Sequence, residues 1–393
     1  MSGDSQTSAG GEMWRYTLIL AGVLIAGVGA GVARPALTYY LRYDIGSTVL
    51  AAASLTSSFM LGRTLGSIIS GVTGARAPGR RHLLASLPLA GAALVIYSFP
   101  QLRAPPLILG FTGVWGLMAG VAWPTVQVGV SDVQPRRSTT LLSIYFAVGT
   151  LGISVGNELF GVLETSYSSM LKLGSLLILS STPLFALSLY KLPRSGEQGR
   201  ARTSRGWGDG VILYTWILAA AFALGFLSGV LRDYFYIYAH ETLGLSRGAL
   251  GHTLAAAGVL GVAVSIPMGV LADKYTTWRV LPPLLALALL GSLLLLTPRA
   301  SIPGYILAAL SVRASLPQTR NAALAPGGRG SLLVGASNSM SSIGMTLSPI
   351  IAGIIHDKTS LPPQLPYLTA ALLIAATLLP PLAIRKTRRP KTP

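Results

Sequence analysis

The sequence predicts an all-α polytopic membrane protein whose twelve transmembrane helices form two pseudo-symmetric six-helix bundles. Of its residues, 51% are hydrophobic and 11% are charged, whereas a soluble domain carries roughly a quarter charged residues. Apolar runs of about 20 residues recur along the whole chain, long enough to cross a hydrocarbon core of ~30 Å. An internal repeat divides these runs into two sets of six. Together the low charge, the apolar runs and the repeat indicate a helical membrane protein.

Twelve predicted spans follow the apolar runs in order. They cover residues 16–41, 48–71, 82–99, 106–130, 139–163, 172–190, 211–238, 248–272, 280–297, 302–324, 331–355 and 365–384. The first span is too long and too rich in glycine for a secretory signal, so we expect it to be retained.

Polar segments set the predicted domain boundaries. Residues 1–13 are small and polar and are expected to form a disordered tail, and residues 385–393 form a basic tail. The longest connector, 191–210, is rich in Arg, Gly and Ser, which is typical of a flexible linker. We therefore predict one bundle over 14–190 and a second over 211–384.

Lysine and arginine are divided unevenly between the two sides of the predicted membrane. Of the 30 Lys and Arg residues, five lie inside spans, six lie in connectors opposite the N-terminus, and the other nineteen lie in connectors on the N-terminal side. The five are Arg34, Arg63, Arg232, Arg313 and Arg320, and the six are Arg42, Arg103, Lys172, Arg247, Arg299 and Lys358. Because basic connectors stay in the cytoplasm, both termini are predicted to be cytoplasmic and the protein to lie in the plasma membrane.

The two halves of the sequence resemble each other. A shift of 198 positions aligns 16–46 with 214–244 without a gap, and a shift of 192 aligns 152–161 with 344–353. The matches that apolar composition does not explain are Tyr16 with Tyr214, Gly27 with Gly225, Gly31 with Gly229, Arg34 with Arg232, Tyr40 with Tyr238 and Gly46 with Gly244. Parallel six-helix repeats joined by a linker are typical of one large class of secondary transporters.

Several function classes are excluded or made improbable by what the chain lacks. It has no cysteine and four histidines, none at a metal-ligand spacing from another, so we expect no thiol chemistry, metal or cofactor. It has no Walker-type loop for ATP and no nucleophile, base and acid that would make an enzyme. The net charge of +18 lies in connectors and reflects membrane orientation, so we do not expect a nucleic-acid partner.

One connector motif identifies a family resemblance. The segment GVLADKYTTWR (269–279) resembles the G-x-L-A-D-[RK] loop of the major facilitator superfamily. Gly269 would permit a tight helix exit, Asp273 would cap or pair with a neighbouring helix end, and Lys274 would stay on the cytoplasmic face. The matching loop of the first half has Ala75 where the aspartate belongs.

The fifth span, GTLGISVGNELFG, resembles the glycine-rich fifth helix of the family's antiporters. Its small residues Gly152 and Gly156 would let two helices approach closely. Asn157 stands where the family usually has proline. The resemblance implies that spans 1, 4, 7 and 10 line a central cavity and that spans 3, 6, 9 and 12 face lipid.

Arginines inside the spans are the candidate binding residues. A charge at mid-membrane costs at least ~2.5–3.5 kcal/mol, so each must face protein or water. Arg34 and Arg232 have three interpretations: snorkelling to the outer interface, an ion pair between Arg34 and Glu158, or shared contact with substrate. Arg313 lies near the middle of its span and is predicted to face the cavity, whereas Arg63 is predicted to form a structural or gating bond.

The acids Glu158 and Asp233 are the candidates for proton coupling. Both lie deep in predicted spans, where a carboxyl group can bind and release a proton as its access to water alternates. The alternative for each is a permanent ion pair, and Asp233 directly follows Arg232.

Aromatic residues complete the predicted site. Tyr40, Tyr238 and Trp123 are candidates for ring contacts with an organic substrate. The alternative interpretation of the aromatic run 233–240 is a belt of aromatic side chains at the membrane–water interface.

These features predict a secondary active transporter that moves a small organic solute by alternating access. Five intramembrane arginines against two acids favour an anionic solute, with the proton as a possible coupling ion. The alternative is a proton-coupled exporter of drugs or other lipophilic compounds, and a receptor or scaffold is a third interpretation. We expect a monomer in the lipid bilayer.

Overall fold

The computed structural model describes residues 5–76, 78–133, 138–190, 208–275, 277–324 and 330–387. These residues are almost entirely helical. The α-helices are α1 (Ser5–Tyr39), α2 (Val49–Arg76), α3 (Arg81–Ser98), α4 (Pro105–Val133), α5 (Ser138–Val162), α6 (Tyr167–Leu189), α7 (Gly208–Gly229), α8 (Phe235–Glu241), α9 (Arg247–Tyr275), α10 (Thr277–Leu294), α11 (Ser301–Leu324), α12 (Gly330–Lys358) and α13 (Leu365–Thr387). The predicted linker and basic tail lie largely outside the described residues.

Two π-helical turns extend this set of helices. Tyr40–Asp44 continues α1, and Val230–Tyr234 joins α7 to α8. With α7 and α8 taken as one interrupted span, the helices correspond one to one with the twelve predicted spans. The all-helical, twelve-span prediction is confirmed, although α1 begins at Ser5, earlier than the predicted first span.

Eight helical segments of the described chain are long enough and apolar enough to cross a membrane. Two shorter apolar segments, Arg279–Leu294 and Leu365–Leu378, correspond to predicted spans 9 and 12. The two remaining helices, α2 and α11, carry Arg63 and Arg313 with several Ser and Thr residues. Their polarity has a physical reason, because a helix packed among other helices does not need a fully apolar surface.

Large apolar side chains are exposed along many of these helices. Leu87, Leu94 and Leu372 are each more than 60% exposed. Patches of this kind are rare on soluble monomers, but they match the surface that lipid tails require. The exposure therefore agrees with the multi-pass membrane assignment.

The chain divides into two compact units. The first contains residues 1–199 and 244–259, and the second contains residues 200–243 and 260–393. The first half of α9 thus groups with α1–α6, whereas the predicted boundary placed it in the second bundle.

In the first unit, α1 packs on α5 through glycines. A methyl group on Gly27 would lie 2.8 Å from the carbonyl oxygen of Gly149, and one on Gly156 would lie 2.8 Å from the Cα of Gly31. Neither position therefore has room for a side chain. Such contacts let transmembrane helices approach backbone to backbone.

The second unit repeats this arrangement between α7 and α12. A methyl group on Gly225 would lie 2.7 Å from the Cα of Ser341, and one on Gly229 would meet the hydroxyl of Ser348. The 198-residue shift pairs Gly225 with Gly27 and Gly229 with Gly31, and the 192-residue shift pairs Ser348 with Gly156. The internal repeat is therefore a repeat of helix packing.

One glycine follows the first span of each half, and the two glycines share a backbone conformation. Gly46 has φ of 73° and Gly244 has φ of 66°, a left-handed conformation that favours glycine. They are 198 residues apart, so the repeat extends to the turn that ends the first span of each half.

Candidate functional site

Arg34 lies in α1, one residue before Pro35. Its Nη2 donates a hydrogen bond to Oγ1 of the buried Thr56 on α2 at 2.8 Å. Its guanidinium carbon stands 5.0 Å from the centre of the Phe59 ring, a cation–π distance. Arg34 is thus held by α2 within the first unit, at a depth where Pro35 removes a backbone N–H from the helix.

Glu158 does not pair with Arg34 in the described part of the chain. Its Oε1 lies 2.6 Å from Nδ1 of His252 on the first half of α9. The side chains of Glu158 and His252 are 39% and 61% exposed. Of the interpretations offered for Arg34, the ion pair with Glu158 is the one that the geometry does not support.

Arg247, five residues before His252 on α9, binds the end of α5, and no sequence motif predicted this contact. Its Nε donates to the carbonyl oxygen of Phe160 at 2.8 Å, and its Nη1 donates to that of Thr165 at 3.1 Å. Its guanidinium also stands 5.3 Å from the centre of the Phe160 ring. We call Arg247, His252 and the α5 residues that they bind the α5–α9 clasp.

Glycines bring the two helices of the clasp together. A methyl group on Gly161 would lie 3.0 Å from the Cα of Gly251, and one on Gly251 would lie 2.8 Å from the carbonyl oxygen of Asn157. Asn157, which replaces the usual proline, therefore lies in this contact.

Arg63 lies on α2 and interacts electrostatically with Tyr145 of α5. Tyr145 is 4% exposed and shares a hydrogen bond with Gln127 of α4. These residues form a polar cluster inside the first unit. The structural role predicted for Arg63 stays a prediction.

Tyr40 and Trp123 are engaged within the first unit. The Tyr40 hydroxyl donates to the carbonyl oxygens of Leu102 at 3.0 Å and Pro100 at 3.2 Å. Trp123 packs edge-on against the buried Phe185, with 5.9 Å between ring centres. Both side chains are used in packing within the first unit, so we do not include them in the candidate site around Arg313.

Arg232 lies at a break in the second unit's first helix. The π-helical turn that contains it gives Arg232 backbone angles of φ −101° and ψ −123°, far from helical values. Asp233, in the same turn, is fully buried. Single π-helical turns within α-helices occur frequently at functional sites, and discontinuous membrane helices line the substrate sites of many transporters.

Arg313 on α11 lies among phenols. The groups that act electrostatically on its guanidinium are Tyr305 and Tyr236. Tyr305 also interacts electrostatically with Arg232. Within the described residues, Nη1 of Arg313 is buried without a hydrogen-bond partner.

Packing fixes the positions of Tyr305 and Arg313. The Tyr305 ring stacks on Phe235 with 3.9 Å between centres and 17° between planes. A methyl group on Gly261 of α9 would lie 2.8 Å from Cδ of Arg313, so glycine at this position leaves room for the arginine. Sequence spacing does not reveal Tyr236, Tyr305 or Gly261, because they converge from three separate helices.

Tyr238 lies in an aromatic cluster of the same unit. Its ring centre is 5.4 Å from that of Tyr367 and 6.4 Å from that of Tyr234. Tyr234 donates from its hydroxyl to the carbonyl oxygen of Pro363 at 2.6 Å. Tyr238 is fully buried, so it is a core residue in this conformation and not part of an exposed belt.

The comparison with family models decides the identity of the fold. A model described as Major Facilitator Superfamily matches residues 19–319, more than half of the chain. The chain belongs to the Major Facilitator Superfamily.

Individual relatives agree with this assignment. The chain is 24% identical over 306 residues to YcaD of Escherichia fergusonii, an uncharacterised MFS-type transporter, and the match covers 74% of this chain and 75% of the relative. A variant of the nucleoside transporter NupG superposes with a TM-score of 0.74 at 10% identity, covering 94% of this chain and 99% of that one. The human organic anion transporter MFSD10 superposes with a TM-score of 0.68 at 15% identity, covering 93% and 98%.

Membership of the superfamily makes the chain a multi-pass membrane protein of a transporter family. The loop that carried the resemblance is only partly described. A methyl group on Gly269 would meet nothing within 4 Å, and Lys274 is exposed. The side chain of Asp273 lies outside the described residues, as does that of Arg320.

Proposed function

We propose that this superfamily member is a secondary active transporter for small organic anions that works by alternating access. The observation that carries the proposal is the buried Nη1 of Arg313, which has no hydrogen-bond partner among the described residues. A buried guanidinium nitrogen that donates no hydrogen bond is costly. An anionic substrate would supply both the acceptor and the charge.

The repeated arginines support the same substrate charge. Arg34 and Arg232 occupy equivalent repeat positions, and each lies at a helix irregularity, Pro35 in α1 and the π-helical turn after α7. Two arginines retained at equivalent depths are better explained by a shared task than by two independent accidents. We assign both to substrate attraction, with Arg313 as the direct contact.

The alternative function, export of lipophilic compounds, was favoured by the glycines of the fifth span and by the largely apolar walls of the predicted cavity. Gly152 and Gly156 lie against α1, where a methyl group on Gly152 would lie 3.1 Å from the Cα of Gly27. Helix packing accounts for these glycines without reference to an export mechanism. We therefore favour anion transport.

Proton coupling is proposed to use Asp233 or Glu158. Asp233 is buried beside Arg232 in the π-helical turn, and Glu158 is bonded to His252 in the α5–α9 clasp. Replacing each acid by its amide preserves shape and removes the titrating group. The amide that abolishes pH-driven uptake while leaving exchange intact identifies the coupling acid.

The orientation of the transporter in its membrane is proposed from the distribution of Lys and Arg residues among the connectors. The excess of Lys and Arg in connectors on the N-terminal side supports cytoplasmic termini in the plasma membrane. We propose that the monomer is the transporting unit.

The function is tested with purified protein in proteoliposomes under an imposed pH gradient. Uptake of radiolabelled organic anions is compared with that of a lipophilic cation, tetraphenylphosphonium. We expect anion uptake that Arg313→Lys lowers strongly, because lysine keeps the charge but loses the planar donor fork. The matched control is Arg299→Ala, which removes an exposed arginine and should leave uptake unchanged.

Two outcomes would overturn the proposal. Absence of flux for every anion and cation would show that the protein does not transport these classes. Cation uptake that survives Arg34→Ala and Arg232→Ala but not Glu158→Gln would replace anion transport with drug export.

A further inference from the structure

We infer that an anionic phospholipid of the surrounding bilayer docks on the first unit, with its headgroup at Arg15 and Arg80 and its acyl chains along α3 and α6. The inference goes beyond the proposed function, because it concerns the lipid around the protein and not the transported solute. It is argued from an exposed face of two helices, the side chains at the two ends of that face, and the charge of one end.

Helices α3 and α6 pack side by side, and each has an exposed apolar side. The Oγ of Ser175 on α6 donates a hydrogen bond to the carbonyl oxygen of Ala93 on α3 at 2.7 Å. On each helix the exposed leucines recur at spacings of three, four, seven or eight residues, which keeps them on one side. We call these leucines the α3–α6 face; they are Leu83, Leu87 and Leu94 on α3 and Leu176, Leu179 and Leu187 on α6.

A basic residue and an exposed tyrosine lie at each end of the α3–α6 face. At one end, Nζ of Lys172 stands 5.9 Å from the centre of the Tyr97 ring. At the other end, Nη1 of Arg15 donates to the carbonyl oxygen of Tyr190 at 2.7 Å. The stretch of α6 from Lys172 to Tyr190 rises by about 27 Å, close to the ~30 Å hydrocarbon core of a bilayer. The two ends therefore lie at opposite leaflets.

Side chains from three helices meet at the Tyr190 end. The ring of His82 on α3 packs edge-on against the Tyr190 ring, with 5.3 Å between their centres, and Arg15 reaches Tyr190 from α1. The guanidinium of Arg15 also stands 5.3 Å from the centre of the exposed Trp14 ring. Of the five N–H groups of a guanidinium, one in Arg15 has an acceptor within the described residues, so others remain for phosphate oxygens.

The Tyr190 end also carries a second arginine. Arg80, two residues before His82, is exposed and has no ion pair in the part of the chain that the structure describes. Its neighbour Arg81, by contrast, is paired with Asp132 of α4. This end lies on the side proposed to be cytoplasmic, and the cytoplasmic surface of a membrane is negatively charged because of its anionic lipids.

The neighbouring leucines favour a lipid over a soluble anion. Leu83 directly follows His82, and Leu187 lies three residues before Tyr190. A lipid whose phosphate binds Arg15 can therefore lay its acyl chains along exposed leucines, which a free phosphate would leave uncovered. Each basic residue near a bilayer surface contributes about 1 kcal/mol towards an anionic lipid, or about fivefold in affinity.

The test is stabilisation of the full chain, purified in an uncharged maltoside detergent, by short-chain lipids. The probes are dioctanoyl phosphatidylglycerol, which is anionic, dioctanoyl phosphatidylcholine, which is zwitterionic, and glycerol 3-phosphate, which has a phosphate but no acyl chain. Binding raises the unfolding temperature as the ligand concentration exceeds Kd. We expect phosphatidylglycerol to bind about tenfold or more tightly than phosphatidylcholine, and glycerol 3-phosphate not to stabilise the protein.

Three variants assign the headgroup to one end of the face. Arg15→Gln and Arg80→Gln should each raise the Kd of phosphatidylglycerol about fivefold. Arg80 is exposed, so Arg80→Gln should fold normally even if Arg15→Gln is destabilised by loss of the bond to Tyr190. The matched control is Lys172→Gln, which removes one positive charge from the opposite end of the same face and should leave this Kd unchanged.

The inference is overturned by any of three outcomes. Equal binding of the two lipids would remove the role of charge, and stabilisation by glycerol 3-phosphate equal to that by phosphatidylglycerol would replace the lipid with a soluble phosphate ester. A Kd that Lys172→Gln raises as much as the arginine variants do would reflect net charge and not the Tyr190 end. Each outcome leaves the proposed transport of organic anions standing, because that function is measured by uptake.

Discussion

Gly31 and Gly156 touch backbone to backbone, since a methyl group on Gly156 would lie 2.8 Å from the Cα of Gly31. In the second unit the corresponding contact joins Gly229 to Ser348. The α1–α5 interface thus has glycine on both helices, whereas the α7–α12 interface has glycine on α7 and serine on α12. At Gly31 and Gly156 there is therefore no side chain on either helix that could move aside for an added atom.

The first prediction concerns this contact. Gly156→Ala should lower the free energy of unfolding by about 1–3 kcal/mol, because backbone atoms cannot move aside as a side chain can. The measurement is the unfolding temperature of the detergent-purified protein. The matched control is Gly110→Ala in α4, where a methyl group would meet nothing within 4 Å and helix propensity favours alanine. Equal unfolding temperatures for both variants would contradict the prediction.

The helical fold and its repeat were predictable because they depend on patterns local to the sequence. Span length follows from apolar runs, and the shifts of 198 and 192 residues identified Gly27, Gly31, Gly225 and Gly229 before their contacts were known. The structure shows why these positions are equivalent: each places a helix of one half against the fifth helix of that half.

The partners of individual charges were less predictable. Sequence depth placed Arg34 and Glu158 at a similar level, yet Arg34 bonds Thr56 and Glu158 bonds His252. Depth fixes the position of a residue along the membrane normal but not the face of the helix on which it lies. Of the two phenols around Arg313, Tyr236 comes from a helix that is distant in sequence, whereas Tyr305 lies on α11 itself, eight residues before Arg313.

The second prediction concerns Arg247. Arg247→Ala should lower the free energy of unfolding by about 1–2 kcal/mol, because the carbonyl oxygens of Phe160 and Thr165 lose charge-assisted donors at the end of α5. Arg299→Ala removes an exposed arginine and serves as the control. Unfolding temperatures that fall equally in the two variants would indicate a general effect of charge and not the loss of the clasp.

The third prediction concerns Glu158 and His252. A double-mutant cycle of Glu158→Gln and His252→Gln should give an interaction free energy of about 0.2–1 kcal/mol, since both side chains are partly exposed and such pairs contribute little. Unfolding in denaturant measures each corner of the cycle. Strict additivity would show that the 2.6 Å contact does not contribute to stability.

The fourth prediction separates two glycines of α9. A methyl group on Gly261 would lie 2.8 Å from Cδ and 3.5 Å from Nη1 of Arg313, whereas one on Gly269 would meet nothing within 4 Å. Because the neighbour at Gly261 is a long side chain, Gly261→Ala should displace Arg313 with little loss of stability. Misplacement of a binding group weakens its function steeply, so the KM for anion uptake should rise about tenfold or more.

Gly269→Ala is the matched control for this displacement, because it adds the same methyl group to the same helix in open space. Its uptake kinetics should equal those of the unmodified protein, even though Gly269 belongs to the loop that carries the family resemblance. A raised KM in both variants would mean that α9 itself, through its flexibility, limits transport. A raised KM in Gly261→Ala alone, with an unchanged unfolding temperature, would tie anion uptake to the position of the Arg313 guanidinium.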